Sequence, residues 1–170
     1  MPTARRSRRI AAPADELWAV VSDPHHLPRW WPRVTRVEDV HEGAFTEVMK
    51  TKKGKTVRAD FEVTRHDSDE RSICWRQRLE GTPFAAVLAS SETEVQVITL
   101  GPSEGSLEAA PPSTEVTIEL RQEISGGRAV QSRPGLSFGR FNPSWGARLV
   151  RKAADATLDE ALDGLERISV

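Results

Sequence analysis

Between Val34 and Ile124 the chain alternates apolar and polar positions with a period of two. Val57, Ala59, Phe61 and Val63 are interleaved with Arg58, Asp60 and Glu62, the pattern of a strand packed on one face and wet on the other. Ile73, Trp75, Gln77 and Leu79 alternate with Cys74, Arg76 and Arg78 in the same way. Thr93, Val95, Val97, Thr99 and then Val116, Ile118, Leu120, Gln122, Ile124 predict two further strands. Segments 34–40 and 44–50 are strand-like, but they alternate too irregularly for their faces to be assigned. The lysines and glycine of KTKKGKT, Lys50 to Thr56, mark a hairpin turn. Strands joined by short turns predict an antiparallel meander rather than a parallel sheet.

Around this block the period lengthens. Pro13 to Ser22 opens with Pro at a first helical position and Asp15 and Glu16 in the first turn, and stops at Asp23-Pro24. Its stripe is Ala14, Leu17, Val20 and Val21. A second short element, His25 to Trp31, ends at Pro32, and a first strand precedes both, over about residues 3–11. The last element is a long helix over 143–168, with Asn142 as its N-cap. Val150, Ala154, Leu158, Ala161, Leu165 and Ile168 form one stripe on it. Trp145, Leu149, Ala153 and Ala156 widen that stripe in the first half, whereas Asp159, Glu160, Asp163 and Arg167 fill the same sector in the second. Residues 101–113 and 125–142 read as loops by composition.

The length of 170 residues predicts a single domain over 1–170, long enough to bury a core without disulfides or metal. A net charge of -1 argues against nucleic acid or an anionic membrane as a general partner. The longest uncharged run, Gly81 to Ser91, is too short to span a bilayer. The opening RRSRRIAAP faintly resembles a twin-arginine export signal, but Asp15 and Glu16 interrupt it before any translocatable apolar stretch, so mature protein is expected. A lone cysteine, Cys74, forbids an intramolecular disulfide and suits a reducing, cytoplasmic setting. The neutral total hides two opposed blocks. Residues 80–125 hold one base against eight acids, and residues 126–152 hold six bases and no acid. These are either ordinary solvated faces or a steered, self-associating surface.

The order strand, two short helices, six antiparallel strands and long C-terminal helix, with the strings IAAPADELWAVVSDPHHLPRWWPRVTRV and TLDEALDGLERI, resembles the SRPBCC superfamily. That superfamily includes START-related lipid-transfer proteins and the polyketide cyclase/dehydrase group. The resemblance covers nearly the whole chain, and the GTPF segment at Gly81 to Phe84 adds to it. It implies an α+β helix-grip fold, in which a seven-stranded antiparallel sheet wraps around the C-terminal helix, with two short helices after the first strand. A cavity between sheet and helix is implied too, and with it an apolar small-molecule ligand. The chain departs from the pattern in its long basic stretch, Arg128 to Arg140.

If the alternation holds, Phe61, Val63, Ile73, Trp75, Leu79, Val95, Val97, Ile118 and Leu120 point inward, with the polar Gln77, Thr93 and Gln122 among them. Pairing Leu100 with Glu115 would set Thr93 opposite Gln122, so the three polar residues could form one row, either self-satisfied or orienting a ligand. Trp30 and Trp31 either edge the pocket or plug the sheet against the short helices. Phe84 is a candidate lid residue. Phe138 and Phe141, in the basic loop, are candidates for a second side of the lid, where Arg133 or Arg140 could meet an acidic group of the ligand.

Catalytic signals are weaker. Cys74 has outward parity, and His25, His26, His41 and His66 lack the converging partners of a metal site. Neither metal nor cofactor is expected. General acid/base work by His66 with Asp67, or by Glu47, is conceivable, but nothing in the sequence brings them together. Arg5, Arg6, Arg8 and Arg9 lack the interleaved aromatics of a nucleic-acid site and read as a solvated terminus or outer strand face. The leading expectation is a small-molecule binding protein, monomeric or homodimeric. A polyketide cyclase or aromatase-like enzyme using the same cavity comes next, and a protein-interaction module using the charge blocks is third.

Overall fold

The computed structural model describes residues 3–51, 53–101, 111–125 and 143–169, with side chains in the last segment from 147 onward. Its elements are β1 (Thr3–Ile10), α1 (Ala14–Val21), a 3-10 turn at Pro24–His26 running into α2 (Leu27–Trp30), β2 (Val34–His41), β3 (Ala44–Lys50), β4 (Thr56–Asp67) and β5 (Ser72–Arg78). A second 3-10 turn at Pro83–Ala86 leads into β6 (Leu88–Leu100), followed by β7 (Ser113–Ile124) and α3 (Pro143–Ile168). Helix α1 starts one residue later than expected. Pro13 is its cap, with an extended backbone at ψ 141, a conformation the proline ring accepts as readily as a helical one.

Seven strands form one sheet in the order β1-β7-β6-β5-β4-β3-β2, every neighbouring pair antiparallel. The meander runs consecutively from β2 to β7, and β1 closes on β7, so α1 and α2 carry the chain from one edge of the sheet to the other. Helix α3 packs along β1, β7 and α2. This is the helix-grip arrangement.

The β6–β7 register differs from expectation by two residues. Leu100 pairs with Ser113 rather than Glu115, so Thr93 faces Leu120 and Gln122 faces Ser91. A shift of two leaves each side chain on its expected face, and Thr93, Val95, Val97, Ile118 and Leu120 are all buried. The irregular second strand also has a cause. Strand β2 breaks register with β3 twice, between Val34 and Arg36 and between Glu38 and His41, with Asp39 left-handed at φ 51. Bulges of this kind erase the period-two pattern.

One core cluster joins the sheet's inner face to the second half of α3. Leu158, Ala161, Leu162 and Leu165 share it with Val95, Val97, Val116, Ile118, Leu17 and Trp30. Gly164 is what lets α2 lie directly on α3, because a Cβ there would stand 2.9 Å from Trp30 Cα and press on the Trp30 carbonyl. Around the rim of this contact, Arg6 pairs with Asp155 and Asp159 at 3.2 and 3.3 Å, and Arg8 with Asp163 and Glu166. Arg6 and Arg8 are thus bound to the acidic side of α3, whereas Arg5 pairs with Glu119 at 3.9 Å and Arg9 donates to Ser113 Oγ at 3.2 Å, both on β7. No helix among the described residues is long and apolar enough to cross a membrane.

Candidate functional site: a cavity between sheet and helix

The first half of α3 stands away from the sheet, and between them lies a cavity of about 480 Å³. Among the described side chains its helix wall is made of small or short ones, Val150, Ala153, Ala154 and Thr157. Its sheet wall is laid down by five strands: Glu47 and Met49 from β3, Phe61 from β4, Trp75 and Gln77 from β5, Leu88, Ser91 and Thr93 from β6, and Leu120 and Gln122 from β7. Trp31 and Arg33 close one side, and Pro83, Phe84 and Val87 of the second 3-10 turn close another. Val87, 52% exposed, marks the mouth.

Seven of the residues singled out from sequence therefore line this space: Phe61, Trp75, Gln77, Phe84, Thr93, Leu120 and Gln122. Four do not. Val95, Val97 and Ile118 lie in the packed core further along the strands, because the cavity is confined to one end of the sheet's inner face. Trp30 is 1% exposed and belongs to the same core; its neighbour Trp31 reaches the cavity instead. Phe138 and Phe141, with Arg133 and Arg140, lie outside the described residues.

The aromatic side of the wall is a continuous chain. Trp31 meets Trp30 edge-on at 5.2 Å and Trp75 at 5.8 Å. Phe45 then packs edge-on to Trp75 at 6.3 Å and stacks on Phe61 at 5.3 Å. Such pairs hold ring positions beyond simple burial, so the wall is preformed.

The polar side is built by the observed register. Gln122 donates from Nε2 to Ser91 Oγ at 3.4 Å. Carried one residue past the last paired positions, Arg76 and Glu92, the β5–β6 register sets Gln77 beside Ser91. The expected row of Gln77, Thr93 and Gln122 is thus replaced by Gln77, Ser91 and Gln122, with Thr93 one rank deeper beside Trp75. Ser91 was missed because its neighbour Ser90 is also a serine and the strand's irregularity at Leu88/Ser90 hides which one points inward.

Glu47 is the chemical centre of the site. Strand β3 turns Phe45, Glu47 and Met49 to the inside, which sets Glu47 between Val37 and Ala59. It is 2% exposed, and its Oε1 has no hydrogen-bond partner among the described residues. Burial alone, with no compensating charge, pushes its carboxyl up to about 8 from its ordinary 4.5. Glu47 therefore holds its proton at neutral pH. Arg33, exposed at the rim, is the other charged residue among the described lining. An acid flanked by Thr46 and Val48 in a strand of uncertain facing gives no inward signal in sequence, which is why Glu47 could not be placed there.

The remaining titratable candidates are elsewhere. Cys74 points away from the cavity, as its parity predicts, but is buried under Arg121, whose Nη2 lies 4.0 Å from its sulfur; burial pushes the thiol up, away from nucleophilic use. Arg121 also pairs with Glu92 at 2.6 Å, Glu119 at 3.0 Å and Glu94 at 3.3 Å, so three acids of the block are matched by its one base on the outer sheet face. His25 bonds to Asp23, and His66 lies against Trp18 with ring centres 5.4 Å apart. No group of three or more His, Cys, Asp or Glu among the described residues could hold a metal ion.

An antiparallel sheet gripping the last helix, with a ligand-sized cavity between them, is a START-like fold. Solved structures agree over nearly the whole chain. A START superfamily protein from Mycobacterium smegmatis superposes with a TM-score of 0.65 at 17% identity, covering 98% of this chain and 96% of that one. The Zhui aromatase/cyclase from Streptomyces sp. R1128 gives 0.64 at 18% identity, covering 98% and 92%. Norcoclaurine synthase from Thalictrum flavum, in complex with dopamine and hydroxybenzaldehyde, gives 0.63 at 15% identity, covering 98% and 84%. At these identities the likeness is one of fold. Comparison with curated proteins returns no significant match. Residues 1–169 match the family described as polyketide cyclase / dehydrase and lipid transport, and the chain belongs to that family.

Proposed function

We propose that the protein binds an apolar small molecule in the cavity between the sheet and the first half of α3, in the cytosol. The observation that carries this reading is a space of about 480 Å³ with a rigid aromatic wall and a few convergent polar groups. Its size and lining are those of small-molecule sites. The test is native mass spectrometry of the purified protein, followed by titration with a neutral naphthalene fluorophore. Retained ligand or saturable probe binding is expected, reduced at least tenfold by Thr93→Leu, which fills the cavity from the sheet side. Failure of ligand and probe alike to bind, or indifference to Thr93→Leu, would overturn the proposal.

A second reading, an aromatase or cyclase acting in the same space, is favoured by Glu47. An apolar cavity that keeps one buried acid protonated can hold a reactive chain and hand a proton to one of its oxygens. Turnover of a poly-β-ketone mimic, abolished by Glu47→Leu, would establish it. Binding of the mimic without turnover would leave the protein a carrier.

A further inference from the structure

Glu47 is anomalous for a pure binding protein. A carboxyl stripped of water and given no partner costs several kcal/mol if charged, and still forfeits a hydrogen bond if neutral. A hydrophobic side chain at the same place in β3 would extend the apolar wall formed by Met49, Phe61 and Trp75. Arg33, the other charged residue of the described lining, is exposed at the rim, and Glu47 Oε1 has no partner among the described residues. What fills the cavity is therefore what can complete it.

The second polar feature of the wall lies at a defined distance. Glu47 is level with Ala59, and Phe61, two residues further on, is level with Gln77. Glu47 and Gln77 are thus two strands apart sideways and two residues apart along the strands, which places their backbones about 12 Å from each other. Gln77 opens the cluster it forms with Ser91 and Gln122. Between the two polar ends the sheet surface is Phe61, and Trp75 and Leu120 continue the apolar wall beyond Gln77.

We infer that the ligand is an uncharged, flat, elongated molecule with a carbonyl-type acceptor oxygen at one end, which accepts a hydrogen bond from the Glu47 carboxylic acid, and a second polar group about 10 Å away at Gln77, Ser91 and Gln122. Glu47 is then the residue that sets the chemical class of the ligand: it favours neutral acceptors over carboxylates, whose charge would be stripped of water there with no counter-ion beside it. An aromatic ketone or quinone-like compound has this form. The inference rests on the proposed cavity binding and specifies what the cavity takes.

Four probes of one shape test it: 2-acetyl-6-hydroxynaphthalene, its isopropenyl analogue, its 1-aminoethyl analogue and 6-hydroxy-2-naphthoate, titrated at pH 6.5 against the wild type, Glu47→Gln and Glu47→Leu. The ketone is expected to bind the wild type about tenfold more tightly than the isopropenyl compound, one net hydrogen bond's worth. Glu47→Gln, which keeps a donor, retains that preference; Glu47→Leu abolishes it. The infrared carbonyl stretch of the bound ketone shifts to lower frequency in the first two proteins and not in the third, a readout that loss of packing alone would not produce. Equal affinity of the wild type for ketone and alkene would overturn the inference while leaving the cavity reading intact. So would tightest binding of the amine with loss in Glu47→Gln, which would make Glu47 an ionised partner for a cation. Failure of all four probes to bind any of the three proteins would overturn the cavity reading, and this inference with it.

Discussion

Helix α3 has two halves that meet the same sheet in different ways. From Leu158 onward it is sealed: Leu158, Ala161, Leu162 and Leu165 are each at most 1% exposed, packed with Val95, Val97, Val116 and Ile118. Before Leu158 the inward positions among the described side chains are Val150, Ala153, Ala154 and Thr157, and the space facing them is the cavity. The sheet's inner face changes along its length too, from Val95, Val97, Val116 and Ile118 in the packed core to Glu47, Gln77, Ser91 and Gln122 at the cavity. Side-chain size on the helix changes with it, and the close contact at Gly164 seats only the second half against α2. Hollowness here is thus set by helix and sheet together, and the packed half supplies the stability that lets the other half remain open.

The largest effect is expected where the packed half is tightest. Gly164→Val would drive methyl groups into the backbone of Trp30, a contact that already leaves a Cβ no room, and neither main chain can yield without moving α2. Destabilisation above about 4 kcal/mol is expected, read by urea denaturation; a variant within 1 kcal/mol of the wild type (roughly the size of an average point substitution) would show that α2 does not hold α3. Next, Leu158→Ala should cost about 3 kcal/mol, because the removed side chain is enclosed on all sides. Leu120→Ala, on the cavity wall, should cost about half as much, having fewer neighbours to lose. Equal costs would mean that the two halves are equally packed.

Glu47 makes the open half sensitive to alkali. Between its ordinary 4.5 and about 8 the folded protein holds a proton on Glu47 that the unfolded chain has released. Stability therefore falls as pH rises across that window, by up to about 1.4 kcal/mol per unit, and levels off above it. Glu47→Gln removes this dependence. Subtracting the two urea-derived stability curves isolates it from the surface carboxylates, among them Glu92, which Arg121 holds below the usual range. A flat difference curve between pH 5 and 8 would show that Glu47 is ionised or solvated in the folded protein.

The asymmetry of α3 was partly legible in the sequence, where the first half carries alanines and extra apolar positions and the second half carries acids outside its stripe. The sheet and its order were legible because six strands follow one another directly and three of their five connections are short, polar turns. The location of the cavity along the strands was not. Periodicity assigns a face but no height, so Val95, Val97 and Ile118 looked as suitable as Thr93 and Leu120. The β6–β7 register was misjudged by two residues because the 101–112 connection has no turn signature that pins it, and this exchanged Ser91 for Thr93 in the polar row. Glu47 stayed hidden for a different reason: β3 is covered on both faces, with Phe45, Thr46, Glu47 and Val48 all buried, so the alternation from which its facing would be deduced is missing.

The sharpest form of the comparison uses one substitution at two places. Ala154 and Ala161 are seven residues apart on the same stripe of α3, two turns of helix, and both are buried, at 6% and 0%. Ala161→Leu adds three carbons to a closed interior and should cost 1–3 kcal/mol through displaced neighbours, with ligand binding intact (about the usual penalty of overpacking). Ala154→Leu adds the same three carbons to open space. It should change stability by less than about 0.5 kcal/mol while weakening the naphthalene probe at least tenfold, since the new side chain occupies the ligand's volume opposite Trp75. Helix propensity does not distinguish the sites, because both are interior positions changing from Ala to Leu. If both variants lose stability alike, the first half of α3 closes on the sheet in solution and the cavity is not maintained by the fold; if both keep probe affinity, the probe binds elsewhere on the molecule.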